Sequence, residues 1–212
     1  MIKFKIGINS KMILLILSIT ISIYAISMAY MMISLKRISM RDAQKIADTY
    51  AREYANLAGS NFNVDMDISR ALSQAYLGYK NLQPEQRLTF YNEILKNVLE
   101  RNQNFLSTWL IWEIGAIDPT YTKPHGRARF TYYRNQQQDI VYKAEILDTI
   151  DYNPDGAYYK MRQSKQETIM DPYYFSYTGK ESDQIMETSV CVPILDNGKF
   201  VGLAGVDVAL GR

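Results

Sequence analysis

Asp207 stands in a run of small and apolar residues, KFVGLAGVDVA over 199–209. An ionised carboxylate is costly in such surroundings unless it is paired. A cationic ligand, a nearby arginine or a set of loop amides would each meet that need. Aromatic rings supply complementary chemistry. Trp109, Trp112, Tyr132, Tyr158, Tyr159 and Tyr173 would form ring walls, and together with Asp207 or Glu113 they suit an amine held by cation–π contact. Arg134 offers the opposite chemistry, a carboxylate fixed by two parallel hydrogen bonds, or else a plain surface position at a strand end. Trp109 and Trp112 lie three apart in an alternating segment and so point to opposite sheet faces, which assigns one of them to the core.

The rest of the inventory excludes more than it offers. The 212 residues contain one histidine, His125, and one cysteine, Cys191. A zinc site needs about four ligands and a disulfide needs two thiols, so neither is expected, and no cofactor is implied. A Ser-His-Asp triad would require His125 beside a nucleophile. His125 sits in Lys123-Pro124-His125-Gly126, which reads as an exposed turn, and Cys191 between valines reads as an inert buried thiol. Thr178-Gly179-Lys180 is a turn without the glycine spacing of a phosphate loop. With no paired acid and base groups evident in one pocket, an enzyme is not expected. The 24 Lys and Arg nearly balance the 22 Asp and Glu, leaving a formal charge of +2. That balance excludes a nucleic-acid partner held by a general positive field and an acidic disordered tail.

These residues need elements to position them. Residues 12–35 (MILLILSITISIYAISMAYMMISL) contain no charge, proline or glycine. Roughly 20 apolar residues cross a bilayer as a helix, whereas the apolar part of a cleaved signal peptide is about 7 to 15. The run therefore predicts a retained transmembrane helix, preceded by a cytoplasmic stub over 1–11. Lys3, Lys5 and Lys11 before the span balance Lys36, Arg37, Arg41 and Lys45 after it, so charge does not orient it; the short stub favours a cytoplasmic amino terminus. From 36 to 82, Ala43, Ala47, Tyr50, Tyr54, Leu57, Phe62, Ile68, Leu72 and Tyr76 recur at three- and four-residue spacing, a long signalling or stalk helix with its expected bend at Gly59-Ser60-Asn61. Pro84 suits the first position of a second helix ending near Asn102.

Beyond it the period becomes alternating. Strands are predicted over 105–113, 127–134, 184–195 and 199–209, with Asn197-Gly198 making a tight hairpin between the last two. Gly202 and Gly205 would let a packed helix or a ligand approach the final strand. The segment 114–180 reads as loops, apart from a short helix over 157–164. Ten of the seventeen tyrosines and both tryptophans fall between 105 and 178. That concentration suggests either a small-molecule pocket or an amphipathic cover over a core. The expected fold class is α+β, with the long helix on one face of an antiparallel sheet and loops and a ligand on the other.

Met170-Asp171-Pro172-Tyr173-Tyr174, Thr178-Gly179-Lys180, Met186 to Ile194 (METSVCVPI) and Asn197 to Val208 (NGKFVGLAGVDV) resemble the carboxy-terminal half of Cache sensor domains. These are the extracytoplasmic PAS-like domains of bacterial methyl-accepting chemotaxis proteins and sensor histidine kinases. Trp112-Glu113, Gly126-Arg127, Tyr132-Tyr133-Arg134 and Tyr158-Tyr159 extend the resemblance upstream, and the element order is similar to the membrane-distal module of a double Cache domain. The likeness covers about 36–210, with a PAS-like ligand-sensing module over 83–212, and it places Asp171 among the ligand-binding candidates. It implies ligand binding outside the cytoplasm and a signal sent inward, without catalysis.

A subset of the family that binds amino acids carries Tyr and Arg before a Trp-Tyr pair, then a Tyr, an Asp two residues on, and a final Asp. Here Tyr158-Tyr159 takes the place of the pair, Gly156 that of the arginine and Phe175 that of the middle Asp. Only Tyr173 and Asp207 match. Two functions are thus expected: a sensing domain for an amine, an amino-acid-like molecule or another small metabolite, or a membrane-anchored interaction domain of the cell envelope with no small ligand. The expected partners are the membrane, a second copy through the long helix, and cytoplasmic signalling modules. The chain ends at Arg212 directly after a strand, so it is expected to be either the front of a longer receptor or a fragment of one.

Overall fold

The computed structural model describes residues 7–210, so Lys3, Lys5 and Arg212 lie outside the described residues. The chain divides into two compact units, Met1–Ala58 and Gly59–Arg212. Helix α1 (Ile8–Tyr76) supplies the described part of the first unit. Within it lies the one helical segment, among the described residues, long and apolar enough to cross a membrane. Three of its hydroxyls are satisfied locally: Ser18, Thr20 and Ser22 donate to the carbonyls of Leu15, Ile16 and Ser18 at 2.9, 2.9 and 2.8 Å. Back-bonding of this kind lets a polar side chain sit in an apolar helix without an unmet donor.

In the second unit, α1 buries Asp65, Met66, Ser69, Leu72, Ser73 and Tyr76, a single stripe at helical spacing. The backbone is helical through Gly59, Ser60 and Asn61. A 3-10 turn over Leu77–Asn81 leads to α2 (Pro84–Arg101). Pro84 occupies the start of α2, and the Gln86 side chain accepts the Gln83 backbone N–H at 3.3 Å. The remaining elements are β1 (Phe105–Glu113), α3 (Ile114–Ile117), β2 (Arg127–Arg134), β3 (Ile140–Leu147), α4 (Ala157–Ser164), β4 (Thr168–Ile169), β5 (Tyr173–Phe175), a second 3-10 turn (Glu181–Asp183), β6 (Ile185–Asp196) and β7 (Lys199–Ala209).

The strands form one antiparallel sheet in the order β3-β2-β1-β7-β6-β4, with β5 also on β6. Asn197 and Gly198 take positive φ of 49° and 78°, the conformation the β6–β7 hairpin turn requires. Residues 114–180 hold more regular structure than their sequence suggests. Strand β3 pairs with β2 along its whole length, but as an edge strand carrying Lys143 and Glu145 it lacks the apolar face of a central strand.

Two clusters fill the two faces. Leu72, Tyr76, Tyr79, Tyr91, Leu95 and Leu99 pack with Leu110, Trp112, Val190, Ala204 and Val206 on the helix side. Trp109, Ile111, Leu203, Cys191 and Phe200 pack with Tyr158, Tyr159 and Met161 on the other. The two glycines of β7 make room within the sheet itself and not for a helix. A Cβ on Gly202 would stand 2.2 Å from the Ile111 carbonyl oxygen, and one on Gly205 would stand 2.4 Å from the Trp109 indole.

Candidate ligand cavity

The register builds one row of side chains on the face away from α2. Ser107 and Ser189 are the cross-strand partners of Asp207 from β1 and β6, so both hydroxyls fall beside its carboxylate. One row along, Trp109 pairs with Gly205, and the absent side chain lets the indole lie flat and aim its N–H back at the acid. Asp207, only 4% exposed, therefore accepts four hydrogen bonds. Oδ2 takes them from Ser107 Oγ at 2.5 Å and Tyr177 Oη at 2.8 Å, and Oδ1 from Trp109 Nε1 at 2.9 Å and Ser189 Oγ at 2.6 Å. The Ser189 hydrogen is thus committed to Asp207, so Tyr173 Oη, 2.5 Å from Ser189 Oγ, is the donor of that pair.

A second acid completes the floor. Glu187 is fully buried. Its Oε2 lies 2.8 Å from Tyr177 Oη, and among the described residues its Oε1 has no hydrogen-bond partner. Burial, and after it the charge of Asp207, pushes the Glu187 carboxyl up to about 8. Burial also raises the phenols of Tyr173 and Tyr177, with the two acids adding to the effect.

Above this floor is a cavity of about 210 Å³ whose ring walls are Trp109, Tyr158, Tyr173, Phe175 and Tyr177. Tyr177 is held in place by a parallel stack on Tyr133 at 4.8 Å and an edge contact with Phe175 at 4.9 Å. The rim carries Arg127, Arg129, Lys143 and Glu145. These cations already have partners: Arg127 bonds Asp148 at 2.6 Å, while Arg129 and Lys143 share Glu145 at 2.5 and 3.1 Å. Among the described residues, no lysine or arginine comes within ion-pair distance of Asp207 or Glu187.

Of the residues singled out in the sequence, the cavity gathers Trp109, Tyr158, Tyr173 and Asp207. Trp112 lies on the opposite face, fully buried against Tyr79 and Tyr91. Tyr132 is on that face too, against Tyr142, and Arg134 there donates to the Leu99 carbonyl at 2.6 Å. Glu113 ends β1 beside the cavity's outer wall, accepting from Tyr158 Oη at 2.8 Å with Arg162 at 3.4 Å, and burial raises its carboxyl. Tyr159 meets Tyr158 edge-on at 5.2 Å and is not among the lining residues, and Asp171 is exposed outside the cavity. His125 is half-buried, contrary to its reading as an exposed turn residue, because its ring stacks on Tyr152 at 4.3 Å and its Nδ1 meets the Asp148 carbonyl oxygen at 2.6 Å.

Glu187, Tyr177, Ser107 and Ser189 are the participants that sequence reasoning missed. The rule that flags Asp207, an acid inside an apolar strand, applies equally to Glu187 in IMETSVCVPIL. The serines become visible only once the register is known. Among the described residues, no cluster of three or more His, Cys, Asp or Glu is placed to hold a metal ion.

An antiparallel PAS-like sheet with helices on one face and a walled cavity on the other defines a Cache-type sensor module. The chain belongs to the family described as methyl-accepting chemotaxis protein-like, first PDC sensor domain, whose model matches residues 91–212. It is 25% identical over 137 residues to the methyl-accepting chemotaxis protein TlpQ of Pseudomonas aeruginosa, a match covering 56% of this chain and 19% of that protein. Among solved structures it is similar to methyl-accepting chemotaxis protein X (TM-score 0.59, 18% identity, covering 77% of this chain and 61% of that one). It is also similar to an extracellular domain assigned to a histidine kinase, mmHK1S-Z3 (TM-score 0.54, 24% identity, covering 74% and 55%). The chain thus spans about a fifth of the curated relative and little more than half of the solved domains.

Proposed function

We propose that this chain is the sensing end of a membrane receptor and that its ligand is a small amine or a related nitrogen cation. The observation that carries the reading is a buried acid pair, Asp207 and Glu187, that has no basic partner among the described residues and lies under a ring-walled cavity of about 210 Å³. A cation inside would offset the charge, and the rings of Trp109, Tyr158, Tyr173 and Tyr177 would add cation–π attraction. Trp109, Tyr173 and Asp207 are the candidates we retain from the sequence as site residues, joined by Tyr177 and Glu187. Gly156 presents no side chain at the place of the arginine in the amino-acid-binding motif that this sequence resembles, which favours an amine over a free α-amino acid.

In this reading 1–11 is a cytoplasmic stub, 12–35 spans the membrane, 36–82 carries the signal and 83–212 senses outside the cytoplasm. The span is supported by its length and composition. A homodimer through the long helix would pass a ligand-dependent shift in population to cytoplasmic modules. Thermal unfolding of the full chain in detergent, against a panel of amines, amino acids, organic acids and purines, tests the reading. A bound amine at 100 times its dissociation constant adds about 2.7 kcal/mol. Stabilisation by organic acids alone, or by nothing in the panel, contradicts it.

A further inference from the structure

Tyr177 has one phenolic hydrogen, yet its Oη stands 2.8 Å from Glu187 Oε2 and 2.8 Å from Asp207 Oδ2. One hydrogen cannot serve two carboxylates at once. Asp207 has three other donors, in Ser107, Trp109 and Ser189, whereas Glu187 has beside Tyr177 only Tyr173, whose hydrogen already goes to Ser189. Glu187 is therefore the acid that keeps a proton in the ligand-free site. It donates to Tyr177 Oη, and Tyr177 donates onward to Asp207. The upward displacement of the Glu187 carboxyl, to about 8, agrees with this proton count.

The charged and titratable groups facing Glu187 come from every element around it. Asp207 lies on β7, Tyr173 on β5 and Tyr177 just after it, Cys191 on β6 itself and Tyr158 on α4, while Arg127 and Arg129 of β2 and Lys143 and Glu145 of β3 line the same cavity. Arg127 is bound to Asp148, Arg129 and Lys143 are bound to Glu145, and Lys143 also donates to the Tyr177 carbonyl at 3.1 Å. That leaves Glu187 Oε1 as an unfilled acceptor, whereas all four acceptor positions of Asp207 are taken.

We propose that Glu187 is the residue that meets the cationic nitrogen of the ligand, and that it does so by releasing its proton, so that binding is coupled to proton loss. The inference rests on the amine reading above. Its balance is simple: the Glu187 O–H bond breaks, the proton leaves to solvent, and a ligand N–H takes Oε1. Before binding, the floor carries the single charge of Asp207. Afterwards it carries two carboxylates and one cation, so its net charge is unchanged. Asp207 is the positioning residue, orienting Tyr177 without touching the ligand.

Titration calorimetry of the full chain in lipid nanodiscs tests this, using methylguanidinium, whose charge is constant through the range used. With one proton leaving a group that titrates near 8, affinity is expected to be about 50-fold weaker at about pH 6 than at about pH 8. At the lower pH, heats in two buffers of different ionisation enthalpy should report close to one proton released. E187Q should bind more weakly than wild type at about pH 8, and without pH dependence or proton release. Should that variant fail to fold, infrared difference spectra of the wild-type chain give the same answer, since the protonated carboxyl band must fall when methylguanidinium is added. Equal affinity at both pH values with no proton release, or an unchanged carboxyl band on binding, overturns the inference and leaves the amine reading standing. No binding of methylguanidinium, ethylammonium or choline at either pH overturns both.

Discussion

Trp109 and Gly205 face each other across β1 and β7, and the indole occupies the space a side chain at 205 would need. An alanine Cβ there would stand 2.4 Å from Trp109 Cζ2 and 2.4 Å from the Val190 carbonyl oxygen. One obstacle is backbone, so rotation of the ring alone does not relieve the clash. We expect Gly205→Ala to cost about 1–3 kcal/mol in urea unfolding, the range for overpacking a core, and to disturb the indole hydrogen bond to Asp207. An unfolding midpoint equal to wild type contradicts this packing.

Replacing Asp207 by Asn keeps the shape of the side chain and loses half of its acceptor capacity. The amide oxygen can serve one pair of donors, Ser107 with Tyr177 or Trp109 with Ser189, and the NH2 group then meets the other pair. Buried donors left unmet cost about 1–3 kcal/mol. The expected outcome is a lowered urea midpoint with the slope unchanged, together with weaker cation binding. A midpoint identical to wild type would mean that the four contacts are not made.

The tryptophans separate the two sheet faces. Trp109→Phe removes the N–H that Asp207 accepts, so it should weaken methylguanidinium binding as well as stability. Trp112→Phe removes packing against Tyr79 and Tyr91 on the helix side, for about 1–3 kcal/mol of stability, and should leave affinity unchanged. Calorimetry of both variants decides. If Trp112→Phe loses as much affinity as Trp109→Phe, the cavity has been assigned to the wrong face.

Glu187 also sets a pH dependence of folding. Its carboxyl is raised in the folded chain from an ordinary 4.5 to about 8, so between those values the folded state binds more protons than the unfolded state. Stability from this group is therefore full below about 4.5, falls as pH rises toward 8, and is level beyond, a loss of a few kcal/mol. Glu187→Gln should remove that decline. Unfolding midpoints across this pH range check it, and parallel curves for the two proteins would show that Glu187 does not hold the proton.

Much of the fold could be read from the chain because its signals are local. Pro84 opens a helix, Asn197-Gly198 turns a hairpin, and alternation marks β1, β2, β6 and β7 at close to their observed ends. Strand β3 escaped notice because edge strands need only half an apolar face, and Lys143 with Glu145 supply the other half. The site was legible in part for a related reason. Asp207 is conspicuous by itself, but which residues stand beside it depends on register, and register is a long-range property. The same alternation that puts Trp109 in the cavity puts Trp112, Tyr132 and Arg134 behind the sheet, a separation that parity within each strand states only once the strands are paired.

A matched pair of probes tests the cation site most directly. Methylguanidinium and methylurea are nearly the same size and shape and differ in charge. Calorimetric titration of both into the full chain in nanodiscs, at about pH 8, should give binding for methylguanidinium and at least about 100-fold weaker binding for methylurea, a difference of about 2.7 kcal/mol. Equal affinities, or tighter binding of the neutral probe, would contradict a cavity built around Asp207 and Glu187 to hold a cation.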